Sequence, residues 1–126
     1  MMRPVSTSTS LVLARRYLGQ RVHLRIDRPA DSRHPRHGFE YPVNYGYVPG
    51  VIAPDGDELD AYHLTSNPVE EADGVCIAII HRHFDDDDKL VVVDPADTEL
   101  SDAEIHRRVA FQELPDHYEI IRASAA

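Results

Sequence analysis

Val75-Cys76-Ile77-Ala78-Ile79-Ile80-His81-Arg82-His83, then Phe84-Asp85-Asp86-Asp87-Asp88, then Lys89-Leu90-Val91-Val92-Val93, is the stretch on which the fold turns. The first run is apolar and rich in β-branched residues, as a central strand requires. It falls well short of the roughly 20 apolar residues of a membrane span. Lys89–Val93 is a second strand of the same kind, and the acidic block is the connection between them. Lys89 opens that strand, so its direction is set by regular backbone and not by a loop tip.

Weaker strand signals lie on both sides. Between Arg21 and Asp27, Val22, Leu24 and Ile26 alternate with Arg21, His23 and Arg25, the period of a half-buried strand. Residues 39–53 mix aromatic and β-branched side chains with Pro42, Gly46, Pro49 and Gly50, which permits short strands and turns and excludes a helix. Further short strands are expected over 60–65 and 117–122. Two helices are expected: one over 11–18, with Ser10 as N-cap and Gly19 as terminator, and one running to about Gln112 behind a Ser101/Glu104 capping box. Many short strands, tight turns and few helices give a mainly β barrel with helices packed outside.

At 126 residues the chain is long enough for a single core, and one domain over 1–126 is expected, with loose tails at 1–10 and 123–126. The formal net charge of -9 repels nucleic acid and anionic membranes, so neither is an expected partner. An anionic substrate remains compatible if cations accompany it. A single cysteine, Cys76, rules out an intrachain disulfide and fits a reducing, cytoplasmic setting. The hydroxyl run Ser6–Ser10 resembles part of a transit peptide, but a strand pattern beginning at Arg21 leaves little room for one.

The chemistry concentrates in Asp55-Gly56-Asp57-Glu58-Leu59-Asp60. In an extended segment Asp55 and Asp57 point to one face, Gly56 allows a sharp turn, and Asp60 can complete the cluster. Carboxylates this close repel one another and call for a hard cation with oxygen ligands, magnesium or manganese. The acidic block at 85–88 adds carboxylates from a distant segment, and Lys89 adds a point charge suited to a phosphate. His81 and His83 project together as any residues two apart on a strand do, so zinc is not expected there. Glu70, Glu71 and Asp73 read as an exposed loop, and Tyr41 and Tyr47 as the edge of the core.

Three motifs in order, Tyr41-Pro42-Val43-Asn44-Tyr45-Gly46-Tyr47, Asp55-Gly56-Asp57-Glu58-Leu59-Asp60 and Asp87-Asp88-Lys89-Leu90-Val91, resemble the signature of the soluble, magnesium-dependent inorganic pyrophosphatases. The similarity spans about residues 22–122 and is especially close to a short bacterial variety with a basic His-Pro loop, here Arg33-His34-Pro35. It implies a small five-stranded OB-like barrel that hydrolyses inorganic diphosphate to two phosphates with Mg2+, with Mn2+ as the substitute ion, and that forms homo-oligomers. By resemblance, Asp55, Asp60 and Asp87 would ligate metal, with Asp60 shared between two ions and a further ligand at Asp85 or Asp86. Asp57 would take a proton from, or orient, the attacking water, Tyr45 would line the pocket wall, and Lys89 and Tyr118 would contact phosphate.

The chain also departs from that pattern. Longer relatives carry a glutamate in the first strand where Arg25 stands here. They also carry a lysine, a glutamate and an arginine around a hairpin that is missing between Arg33 and Tyr41, and a lysine where this chain has Glu119. Arg33 and Arg36, clustered beside the Tyr-Pro motif, are the expected replacements. These losses keep two alternatives open: a hydrolase of another phosphoanhydride or nucleotide on the same fold, and a non-catalytic metal- or phosphate-binding relative.

Overall fold

The computed structural model describes residues 8–123. Helix α1 (Thr9–Arg15) leads into strands β1 (Arg21–Arg28), β2 (Asn44–Ile52), β3 (Glu58–His63), β4 (Glu71–Arg82) and β5 (Lys89–Val93). Helix α2 (Asp102–Val109) and strand β6 (Tyr118–Arg122) complete the chain. The strand order is β1-β2-β3-β5-β4-β6, and an additional β1–β4 pairing closes the first five into a barrel. Strand β4 makes this possible by its length. Its first half, Glu71–Val75, pairs with β1, and its second half, Ala78–Arg82, pairs with β6. All pairings are antiparallel except β3 with β5.

The residue pattern explains which strands are central. Inside the barrel, Val22, Leu24 and Ile26 meet Leu59, Ala61, Cys76, Ile79, Leu90 and Val92, with Leu11 and Ala14 of α1 packed against them. Outside it, Ile77, Ile80, Val91 and Val93 meet Ile105 and Val109 of α2. Strands β4 and β5 are therefore covered on both faces, which is why their sequence does not alternate. A register shift between Cys76 and Ala78 lets Cys76 and Ile79 both face inward. Burial pushes the Cys76 thiol up to about 12, so it is an inert core residue.

Two close approaches between strands leave no room for a side chain. At Gly46, β1 comes so near that an added Cβ would collide with the Arg25 backbone carbonyl. At Gly74, a Cβ would lie 2.5 Å from the Val93 carbonyl oxygen. Both positions need glycine for lack of space.

Several boundaries differ from expectation. Helix α1 starts at Thr9, and its N-cap is Ser8, whose hydroxyl accepts from Leu11 N at 3.1 Å. Ser10, the expected cap, is buried inside the first turn and bonds to the acidic block. Residues 8–10 thus belong to the fold, while 1–7 and 124–126 lie outside the described residues. Glu71 and Asp73 are not in a loop: they sit on β4, and both carboxylates bond His23 across the β1 pairing, at 3.0 and 2.9 Å. Helix α2 ends at Val109, three residues short of Gln112, and Ser101 caps it as expected by accepting from Glu104 N at 3.2 Å.

Candidate active site

The Asp55–Asp60 turn is built by its own backbone and side chains. Gly56 sits at φ 91°, the left-handed region that glycine enters without strain. Asp55 Oδ1 accepts from Asp57 N at 3.0 Å, an Asx turn that orients the next residue. Leu59 is fully buried in the barrel, so its neighbours Glu58 and Asp60 face the other way. Glu58 accepts from Gly50 N at 2.8 Å and ties the turn to β2.

Asp60 is brought to the second acidic segment by the parallel pairing of β3 with β5, in which Ala61 lies opposite Leu90. Lys89, one residue before Leu90, therefore reaches Asp60. Its ammonium is 2.9 Å from Asp60 Oδ2 and 3.0 Å from Asp87 Oδ2, and its side chain is only 3% exposed. The same ammonium stands 5.7 Å from the centre of the Tyr45 ring. The two acidic segments thus converge on one buried cation. Burial raises the Asp60 carboxyl above its usual value, against the opposing pull of Lys89. Burial, reinforced by Asp60 and Asp87, holds the Tyr45 phenol well above its usual value, so it stays protonated and can donate.

Beside this contact a cavity of 240 Å³ is lined by Asp27, Tyr47, Asp57, Glu58 and Asp60. Asp57 is exposed there, and among the described residues no donor holds its carboxylate. Asp27 was not legible as a site residue. Two residues of β1 fit against one step of β2 between Ile26 and Arg28, and Asp27 is the extra one. Bulges of this kind re-aim side chains next to active sites. The acidic contribution of β1 therefore comes from Asp27 and not from position 25. The one sequence signal was that Asp27 is the first acidic residue of the chain, at the end of the alternation.

The four aspartates of the second segment have four separate attachments. Asp85 accepts from Arg82 Nη1 at 3.3 Å, and Asp87 is ion-paired with Lys89 at 3.0 Å. Asp86 Oδ1 accepts from Ser10 N at 2.8 Å. Asp88, buried, accepts from Arg82 N at 2.9 Å, meets His81 Nδ1 at 2.9 Å, and donates its own N–H to Ser10 Oγ at 3.1 Å. Asp86 and Asp88 thus pin the loop to α1 and β4, leaving Asp87 turned to the site. Asp85 stays half-exposed near Arg82. Of the two residues left open as a further ligand, Asp86 is committed to α1.

Other expected phosphate contacts stand apart. Tyr118 is buried, and its hydroxyl meets His106 Nδ1 at 2.6 Å. Arg33 is paired with Glu40 at 3.3 Å and donates to the Gly38 carbonyl at 2.9 Å. Arg36 is exposed on the same loop, where His34 packs at a tilt on Phe39 and stacks on Tyr41. Among the described residues no contact joins Tyr118, Arg33 or Arg36 to Asp60, Asp87 or Lys89. Arg82, Glu113 and Tyr62 form a grouping that sequence reasoning missed. Arg82 donates to both Glu113 oxygens, at 3.1 and 2.8 Å, and the Tyr62 hydroxyl donates to Glu113 at 2.6 Å.

Among the described residues no three carboxylate, imidazole or thiol groups come together as a ready-made metal set. The donor chemistry nevertheless fits a hard divalent ion. Two carboxylate oxygens already share one cationic partner, and magnesium is commonly held by one or two carboxylates with substrate phosphates and water completing the shell.

A family model described as inorganic pyrophosphatase matches residues 20–122. The chain belongs to this family. The inorganic pyrophosphatase of Haemophilus influenzae is 41% identical over 66 residues, covering 47% of this chain and 36% of that protein. The same figures hold for the inorganic pyrophosphatase of Neisseria meningitidis serogroup A. The chain thus spans little more than a third of the length of these curated relatives. Among solved structures, the inorganic pyrophosphatase of Ehrlichia chaffeensis superposes with a TM-score of 0.60 at 18% identity, over 75% of this chain and 80% of the other. That of Helicobacter pylori gives 0.57 at 17% identity, over 82% of each. The pyrophosphatase barrel is the fold these neighbours share with this chain.

Proposed function

We propose that the protein hydrolyses inorganic diphosphate to two phosphates with Mg2+, and with Mn2+ in its place. The observation that carries this is the convergence of Asp60 and Asp87, from two segments, on Lys89 beside a cavity that exposes Asp57. Phosphoryl transfer to water needs little covalent help; it needs charge neutralisation, alignment and an acceptor for the water's proton. Asp60 and Asp87, with Asp55 and Asp85 as the further ligands implied by the family resemblance, would hold a metal ion, which would supply that neutralisation and lower the pKa of a bound water.

The chain's own groups do the rest. Asp57, with a carboxylate held by no described donor, accepts the proton of the attacking water. Lys89 neutralises phosphate oxygens as a point charge, and the Tyr45 hydroxyl donates to a phosphate oxygen without forming a covalent bond. Arg33 and Arg36 lie on a separate loop, and Tyr118 is engaged with His106, so the proposal rests on Lys89 and Tyr45. By family resemblance the protein works as a homo-oligomer in the cytoplasm; among the described residues no helix is long and apolar enough to cross a membrane.

The test is phosphate release from diphosphate with Mg2+, with Mn2+ and with a chelator, alongside nucleoside triphosphates as competing substrates. Metal-dependent release from diphosphate, exceeding that from the nucleotides, is expected. Failure to release phosphate from diphosphate in either metal would sink the proposal.

A further inference from the structure

We propose that Arg82 is a second phosphate-contacting cation, working beside Lys89; this rests on the diphosphate reading. The site carries Asp27, Asp57, Asp60 and Asp87, and Lys89 is the cation at its centre. A diphosphate brings further negative charge, so one ammonium leaves the bound state short of positive partners even when metal is present. Arg82 is the next cation in reach. Its Nη1 lies 3.8 Å from Asp87 Oδ2, the same oxygen that Lys89 contacts at 3.0 Å. Two cations from adjacent strands therefore flank one oxyanion position. The β4–β5 register explains this, because Ile80 lies opposite Lys89 and Arg82 lies two residues further on the same face.

The guanidinium is also held in the way a recognition group should be. Nε and Nη2 form a fork on Glu113, which is 4% exposed and receives the Tyr62 hydroxyl at 2.6 Å; Gln112 then donates to that hydroxyl at 2.8 Å. Nη1 has only longer contacts, 3.3 Å to Asp85 and 3.8 Å to Asp87. The Nε–Nη2 edge is fixed and Nη1 is loosely engaged on the site side. The side chain is 21% exposed against 3% for Lys89, and a cavity of 130 Å³ opens on it between Phe84 and His117. A planar, permanently charged donor fixed on one edge suits phosphate oxygens better than a mobile ammonium.

The experiment compares wild type with Arg82→Gln and Arg82→Lys. It reads KM and kcat for diphosphate with Mg2+, calorimetric affinity for methylenediphosphonate with Mg2+, and thermal unfolding. Loss of one charge-assisted contact is expected to raise KM and weaken methylenediphosphonate binding in Arg82→Gln, each by about tenfold. Arg82→Lys keeps the charge without the fork and should fall in between. KM and analogue affinity within twofold of wild type in folded Arg82→Gln would overturn the assignment, whatever happened to stability. If Arg82→Gln does not fold, Arg82→Lys decides by the same readouts, and unchanged values there overturn it. Wild type that binds the analogue but releases no phosphate would refute diphosphate hydrolysis alone. In that event the calorimetric arm still judges Arg82, and wild type that does not bind the analogue overturns both.

Discussion

Asp57, in the first acidic segment, is exposed, and among the described residues no donor holds its carboxylate, whereas each carboxylate of Asp85–Asp88 has a defined attachment. The first segment is shaped locally, by Gly56 at positive φ and the Asx turn on Asp55. The second is shaped from outside, by Arg82, Ser10, Lys89 and His81 on three other elements. Similar composition therefore serves opposite needs. An unheld carboxylate is free to take a proton, while a fully tied loop holds Asp87 in a fixed direction.

Asp57→Asn probes the first half of that contrast and has the largest expected effect. Turnover should fall at least about a hundredfold while methylenediphosphonate binding persists, because only the proton acceptor is lost. Near-normal turnover would remove Asp57 from that role.

Asp88→Ala probes the second half. It strips the buried partner from His81 and the Arg82 amide, so stability should drop by about 3 kcal/mol, or roughly 10 °C in the unfolding midpoint. A midpoint unchanged within error would mean that the loop is not held through Asp88.

Asp86→Asn is the gentler version. It weakens one hydrogen bond to α1, worth about 1 kcal/mol, with turnover kept within twofold. A large loss of turnover with no loss of stability would instead make Asp86 a metal ligand.

The smallest effect is a pH drift. Burial raises the Asp60 carboxyl above its ordinary value of 3.8. Its contribution to stability is thus fully present below that ordinary value and is lost as pH rises through the raised folded value. In chelator, the urea midpoint of Asp60→Asn relative to wild type should become more favourable between about pH 3.5 and pH 7. A difference that moves the other way would show that the Lys89 pairing outweighs burial.

What the sequence could disclose follows from the same physics. Strand β5 was expected at Lys89–Val93 and is found there, because a β-branched run between an acidic block and Asp94 has sharp ends. Strand β4 starts four residues earlier than expected. Its inward positions in that stretch are Ala72 and Gly74, too small to give an alternating apolar signal, and Gly74 is small because Val93 lies against it. The cap of α1 was misplaced because Ser8 and Ser10 offer the same hydroxyl, and only the tertiary bonds of Ser10 to Asp86 and Asp88 distinguish them. Asp27 was hidden because it continues the exposed polar face of β1 in phase with Arg21, His23 and Arg25, and only the fold brings it to the cavity. Arg82 carried no signal in the sequence, since its partner Glu113 is 31 positions away and is held in turn by the Tyr62 hydroxyl.

The parallel β3–β5 pairing also bears on how the protein is made. Parallel neighbours cannot be joined by a tight hairpin, so here the whole of β4 intervenes before β5 can return to lie against β3. A nascent chain released only through Ile80 has Asp57 and Asp60 but neither Asp87 nor Lys89 to face them. Site assembly is therefore a late, long-range step of biosynthesis, and on the proposed function a ribosome-stalled fragment of that length should show no divalent-ion binding.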